Sequence, residues 1–309
     1  MNKQTSSVLM MVRPAHFGFN PETAVNNHFQ KKMHAGNVNE TAKQARDEFD
    51  EFVSALRSNE IDVLVFEDTI EPKTPDAVFP NNWISFHQGG TMVTYPMYAP
   101  SRREERRSDI LQYFKDNYQI GKQLDYDRFE AEDLYLEGTG SMILDRVSKI
   151  AYACRSMRTS DKLFNDFCAD LGYTPVLFDS SDESEQPIYH TNVIMCVATS
   201  TVVVCLESVK DPIQRANLEK SIIDSGKTIV EITLEQVHAF AGNMLQVENK
   251  KGELFIIMSR TAYDALTDEQ KEALSVDSKI IAVQIPLIEQ LGGGSARCML
   301  AEVFLDKLS

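Results

Sequence analysis

Three things are missing from this chain, and each absence removes a class of function. None of its five cysteines stands in a CxxC pair, so zinc-ribbon and disulfide frameworks are not expected. Cys154, Cys196 and Cys205 lie in apolar strand-like runs and read as small core hydrophobes. Positive charge is short, with 31 Lys and Arg against 46 Asp and Glu, and the one basic cluster, Arg102 to Arg107, is interrupted by Glu104 and Glu105. Nucleic-acid binders need a basic stripe, so nucleic acid is not expected as a partner. Long apolar runs are also absent: Val8 to Val12, behind a single Lys, is too short for a signal-peptide core, and nothing approaches a membrane span. No membrane partner and a cytoplasmic location are the expectations. His16, His28, His34, His87 and His238 are scattered, with no HxxxH or Cys-His cluster at ligand spacing. No metal and no cofactor are expected, and of these five histidines only His238 is retained as a catalytic candidate.

What is present is a repeat. An apolar strand, a polar-faced helix and a second apolar strand recur five times, with first strands at Val8–Val12, Thr91–Tyr95, Lys149–Ala153, Thr201–Cys205 and Leu254–Ser259. The helices are expected over Glu40–Ser58, Ser101–Phe114, Asp161–Leu171, Asp211–Asp224 and about Ala262–Leu274, with Thr267 as a second cap inside the last. The later units recur at roughly 50 to 60 residues, the spacing of an architecture in which each unit buries its face on its neighbours. This favours one closed α/β domain over residues 1–309, although an ordinary doubly wound sheet gives the same alternation.

After each second strand comes a polar or glycine-flanked motif: PDAVFPNNW (residues 75–83), LEGTG (136–140), YHTN (189–192), AFAGNM (239–244) and GGGSARCM (292–299). If five units close about an axis, Asn81, Asn82, Glu137, His190, Asn243 and Cys298 converge on it. Three glycines permit close backbone approach and positive φ. The segment behind them reads as a helix starting at Cys298, whose dipole, together with Arg297, favours thiolate. A thiolate, a histidine and a carboxylate are the parts of covalent catalysis.

Taken together, these motifs resemble the guanidine-modifying, or amidinotransferase/arginine deiminase, superfamily, over about Val8 to Leu305. The resemblance implies the pentein fold, a five-bladed pseudo-symmetric α/β propeller. PDAVFPNNW with APSRR (99–103) and SMRTS (156–160) is most similar to the dimethylarginine dimethylaminohydrolase pattern. It implies Cys298 as nucleophile, His190 as general acid/base and Glu137 as an acid that holds substrate and assists protonation. It also implies Asp76 in the substrate-binding loop, with Arg102 and Arg158 gripping an α-carboxylate as bidentate guanidiniums. Asn20 belongs to a turn or to an entrance loop.

Relatives that act on a guanidinium commonly carry acids at the positions of Asn81 and Asn82, and arginine deiminases carry one at Asn192. A buried cation without carboxylates is costly, whereas an amide offers a donor and an acceptor together. Amides at these positions suit a neutral ureido group. The expected activity is therefore cysteine-dependent hydrolysis of citrulline to ornithine, carbon dioxide and ammonia, with Asn81, Asn82, Asn192 and Asn243 on the substrate. The alternatives are an arginine deiminase, dihydrolase or amidinotransferase, and a non-catalytic pentein binding protein. A homo-oligomer is compatible with all of these.

Overall fold

The computed structural model describes residues 2–31 and 38–308. His34 lies outside the described residues. Where the repeat predicts two strands per unit, the structure has three. Each expected pair is parallel: β1 (Val8–Arg13) with β2 (Asp62–Glu67) in the first unit. The added strand is short and follows the polar motif. It is β3 (Ile84–His87), antiparallel to β4 (Thr91–Thr94), which pairs in parallel with β5 (Lys122–Asp125).

The pattern repeats with β6 (Met142–Asp145), β7 (Ile150–Cys154) and β8 (Thr174–Phe178), then β9 (Met195–Val197), β10 (Thr201–Val204) and β11 (Thr228–Glu231). It repeats again with β12 (Leu245–Glu248), β13 (Leu254–Ser259) and β14 (Lys279–Val283). The last added strand, β15 (Ala301–Glu302), pairs antiparallel with β1, so the end of the chain completes the first sheet. Each motif therefore leaves one sheet and enters the next. Among the described residues five three-stranded sheets result, not one doubly wound sheet.

Helices cover the outside of the sheets. Val38–Ser58 buries Ala42, Ala45, Phe49, Phe52, Val53 and Leu56, the i, i+3, i+7 spacing of one face. Its Glu48 accepts from the amides of Leu287 (3.0 Å) and Ile288 (3.1 Å), capping the last helix, Pro286–Gly292. The helix expected over Ser101–Phe114 is instead two, Pro100–Arg103 and Ser108–Asn117. The break lets Arg102 and Glu105 both turn inward as a buried pair. The fifth helix likewise divides, into Arg260–Ala265 and Asp268–Leu274, with the expected cap at Thr267 in a capping box with Gln270.

The motif turns pack on one another in sequence around the ring. Thr139 Oγ1 donates to the Asn81 carbonyl (3.3 Å), and the 138–141 turn packs against both the 80–82 and the 191–193 turns. Asn243 Nδ2 donates to the Asn192 carbonyl (3.0 Å), Asn243 Oδ1 accepts from the Arg297 amide (3.0 Å), and the 296–299 turn returns to 80–82. At Gly242 a Cβ would lie 2.3 Å from the Val193 carbonyl oxygen. Gly242→Ala should therefore cost about 1–3 kcal/mol of stability by overpacking, read as a lowered urea midpoint at unchanged slope; an unchanged midpoint would mean these two turns do not interlock.

Candidate active site

The glycine run does not start a helix; it ends one. Gly292 closes Pro286–Gly292, and Gly293 caps it in the left-handed region at φ 61°, the one positive φ of the three glycines. Cys298 sits third in a four-residue 3₁₀ turn, Ala296–Met299. So short a turn carries little dipole, and the expected helix-terminus effect is absent. Arg297 points elsewhere too, donating to the Leu300 carbonyl (2.8 Å) and to Glu302 (3.1 Å).

The thiol is served by two amides. Asn192 Nδ2 and Asn243 Nδ2 each stand 3.2 Å from Sγ. Two N–H donors aimed at one sulfur stabilise it best when it is negative. Gly294 leaves the room this requires, since a Cβ there would lie 3.1 Å from the Phe79 ring and 3.3 Å from the Cys298 Cβ.

Glu137 is fully buried. Its Oε1 accepts from the Tyr98 amide (2.9 Å), and its Oε2 faces His190 Nε2 (2.8 Å) and Arg158 Nη1 (3.4 Å). Burial raises its pKa, but Arg158 and the His190 hydrogen bond outweigh burial and hold the carboxyl well below the usual range. Ionised in this way, Glu137 carries no proton to donate and faces the imidazole as an acceptor. For His190 burial wins over the carboxylate and lowers the pKa to about 4, so the ring is neutral near pH 7.

Its neighbour Tyr189 donates from its hydroxyl to the Gly293 carbonyl (2.6 Å) and so ties the histidine turn to the glycine run. Asn82 Oδ1 accepts from Arg102 Nη1 (2.7 Å), which turns the Asn82 Nδ2 toward Gly140 and His190. A Cβ on Gly140 would stand 2.4 Å from that nitrogen and 2.8 Å from His190 Nδ1, so only glycine lets the two side chains come together.

The two arginines differ in how they are held. Arg102 is gripped by both oxygens of buried Glu105 at 2.9 Å, and burial pushes the Glu105 carboxyl up to about 7 even so. Arg158 lies over the Tyr189 ring (4.9 Å) and donates to Asn26 Oδ1 (2.9 Å) and the Thr23 carbonyl (2.9 Å). Asp76 Oδ2 accepts from Asn20 Nδ2 (2.7 Å) and Thr23 Oγ1 (3.3 Å). Asn20 thus both forms a turn, accepting from the Glu22 amide, and joins the loop over the site.

Thr23, Asn27, Phe79, Asn82, Arg102, Arg158, His190 and Cys298 enclose, with Asp76 and Tyr189, a cavity of about 20 Å³. Several buried side-chain atoms have no hydrogen-bond partner among the described residues: Asp76 Oδ1 and Asn82 Nδ2, on residues that line the cavity, and both side-chain heteroatoms of Asn81 and Asn192 Oδ1, on residues that do not. Sequence reasoning missed Thr23, Asn26, Asn27, Phe79, Glu105 and Tyr189. Phe79 and Tyr189 lay inside motifs already singled out, while nothing in the spacing of the 20–27 segment marks it as a cover. His238 stands apart, paired with Glu183 (3.0 Å) on the surface. Among the described residues no group of three His, Cys, Asp or Glu is placed to hold a metal ion.

Five small mixed sheets, joined in a ring with a Cys–His–Glu site where their turns meet, make this a pentein fold. The model of the family described as eukaryotic N,N-dimethylarginine dimethylhydrolase matches residues 13–305, and the chain belongs to that family within the guanidine-modifying superfamily. Among solved structures it is similar to ArgZ, an arginine dihydrolase of the ornithine–ammonia cycle in cyanobacteria, at 18% identity and a TM-score of 0.72. That match covers 95% of this chain but 40% of ArgZ, so this chain spans less than half of its neighbour's length. The N-terminal domain of ArgZ, solved with a product, matches at 19% identity and a TM-score of 0.70 over 96% of this chain and 98% of that domain. A dimethylarginine dimethylaminohydrolase adduct with S-methyl-L-thiocitrulline matches at 15% identity and a TM-score of 0.65 over 96% and 99%. No curated protein sequence matches.

Two predictions follow the geometry. Removing either amide, as in Asn192→Ala or Asn243→Ala, should slow alkylation of Cys298 by iodoacetamide at pH 7 about tenfold, the loss of one charge-assisted hydrogen bond. Peptide mapping of the labelled protein reads this out. For pH, the unfolded chain protonates a histidine near 6.5 and the folded chain protonates His190 near 4, so folding opposes protonation. This contribution to stability is complete above about pH 6.5 and is lost as the pH falls toward 4. Glu137, depressed in the folded state, adds a loss in the same direction at lower pH. Denaturant midpoints between pH 4 and 7 should fall less steeply in His190→Asn than in the wild type.

Proposed function

We propose that this chain is a cysteine hydrolase of a ureido amino acid, converting citrulline and water to ornithine, carbon dioxide and ammonia. Cys298, His190 and Glu137 are the catalytic residues, and residues 1–309 form one catalytic domain. The observation that carries this reading is a set of buried amide atoms with no hydrogen-bond partner among the described residues: Asn82 Nδ2 on the cavity wall, Asn192 Oδ1, whose own amide donates to Cys298, and both side-chain heteroatoms of Asn81. Leaving such groups unpaired is costly, and a neutral ureido oxygen and its N–H groups satisfy both kinds.

Neutral His190 takes the Cys298 proton, and the thiolate, stabilised by Asn192 and Asn243, adds to the ureido carbon. The carbonyl oxygen gains charge and is met by the amide of Asn82, held in orientation by Arg102. The imidazolium, stabilised by ionised Glu137, returns the proton to the nitrogen of the departing ornithine as the C–N bond breaks. A carbamoyl thioester remains on Cys298. Water, activated by His190, hydrolyses it to carbamate, which decomposes to carbon dioxide and ammonia, and the thiol is regenerated. Arg158 suits the α-carboxylate better than Arg102 does, because it meets an acid, Glu137, through a single 3.4 Å contact and otherwise donates to neutral loop oxygens, whereas Glu105 grips Arg102 with both oxygens. Entry requires the 20–27 segment to move, since the enclosed space of about 20 Å³ is smaller than an amino acid. Five buried free thiols suit a reducing compartment, the cytoplasm.

A second reading, arginine dihydrolase, is favoured by one feature: the unpartnered Asp76 Oδ1, a carboxylate oxygen on the cavity wall. Assaying the purified protein with citrulline and arginine side by side separates the two. Ornithine and ammonia in equal amounts from citrulline, lost in Cys298→Ala, is the expected result. Ornithine with two ammonia from arginine, and none from citrulline, would establish the dihydrolase; citrulline accumulating from arginine would establish a deiminase. Asn82→Asp should lower kcat/KM for citrulline about tenfold or more, because the donor to the ureido oxygen becomes a repelling carboxylate.

A further inference from the structure

A second cavity, of about 20 Å³, lies away from the site, between the innermost strands β6, β9, β12 and β15. Leu144, Val197, Leu245 and Glu302, one from each of these strands, help to line it, so it sits on the axis of the ring. Gln4 plugs one side, its Nε2 donating to the carbonyls of Leu144 (3.0 Å) and Val197 (3.1 Å) while its Oε1 accepts from the Arg146 amide (2.8 Å).

Two guanidiniums reach this cavity, and they share one carboxylate. Arg146 Nη2 lies 3.4 Å and Arg297 Nη2 3.1 Å from the same oxygen of Glu302, and all three side chains are buried. Neither arginine has a second acidic partner among the described residues. Their other contacts are neutral: the Leu300 carbonyl for Arg297 (2.8 Å), and His87 Nδ1 (3.2 Å) and the Phe304 ring (4.0 Å) for Arg146. Burial and Arg146 together keep His87 uncharged. The nearby Lys227 and Asp145 compensate each other at 3.6 Å. One net positive charge is therefore left among these buried side chains, at a cost of several kcal/mol if nothing offsets it.

We propose that this axial cavity binds a single small monovalent anion, of the size and charge of chloride, between Arg146 and Arg297. A space of about 20 Å³ admits one water-sized occupant and excludes carboxylic acids and phosphate. The anion supplies the missing counter-charge. It also stitches β6 to the turn that carries Cys298, since Arg297 is the residue before the thiol.

The test uses the full chain at constant ionic strength, with sodium gluconate replaced stepwise by sodium chloride. The unfolding temperature should rise saturably by on the order of 3 °C, and bromide should do the same. Arg146→Gln should abolish the chloride dependence. Because that variant could fail to fold, wild-type crystals soaked in bromide give an independent answer: an anomalous peak between the two guanidiniums. Equal unfolding temperatures in the two salts, or a site without an anomalous peak that refines as water, would overturn the proposal.

Discussion

A carboxylate with no exposure to water must be surrounded by donors, and the site is built around meeting that demand for Glu137. Its donors come from three stretches of chain: the Tyr98 amide after β4, Arg158 after β7 and His190 before β9. No one sheet supplies all three, so the ion is fully served only when these neighbouring units have packed together. Arg158 matters most, because its cation at 3.4 Å is the largest of the influences that offset burial and keep Glu137 ionised. With Arg158 in place the charge stays on Glu137 and the imidazole stays neutral and correctly turned.

From that arrangement the roles of the asparagines divide. Asn192 and Asn243 belong to the sulfur, each donating at 3.2 Å, and Asn243 also fixes the backbone next to the thiol through the Arg297 amide. Asn82 belongs to the cavity wall. Its orientation is not free, since Arg102 must have an oxygen to bind, and only Oδ1 provides one. The Arg102–Glu105 pair thereby decides that a donor, and not an acceptor, faces His190. Asn81 is held by its backbone carbonyl under Thr139, while its side chain finds no hydrogen-bond partner among the described residues.

Much of this was legible from phase alone. The parallel strand pairs, the helix over Asp161–Leu171 and the five motifs in equivalent positions follow from apolar runs long enough to read, and phase brings Glu137, His190, Asn243 and Cys298 together. What was not legible has physical reasons. β9 and β15 are three and two residues long, too short to show alternation, yet they are the strands that carry one sheet into the next. The run of glycines looked like the start of a helix because composition does not show direction, and only the φ of Gly293 reveals an end. Arg102 and Arg297 read as cations beside ligand and thiol. Each is instead bound to a nearby acid, Glu105 or Glu302, at three and five residues' distance in sequence.

The surface and the cavity pull in different directions. With a formal charge of −15, the outer field draws cations, and arginine more than neutral-side-chain citrulline. In physiological salt that attraction decays within about 8 Å, so it changes the rate of encounter more than the occupancy of a buried site. The run Arg102 to Arg107 adds no counter-field, since Arg102 faces Glu105, Arg103 and Arg106 face Glu130, and Arg107 faces Asp109. Inside, water is excluded and each pairing counts for more. There the lining residues Asp76 and Asn82 each carry an atom, Oδ1 and Nδ2, with no hydrogen-bond partner among the described residues. Inside the cavity, hydrogen-bond pairing therefore discriminates between side chains more strongly than the outer field does.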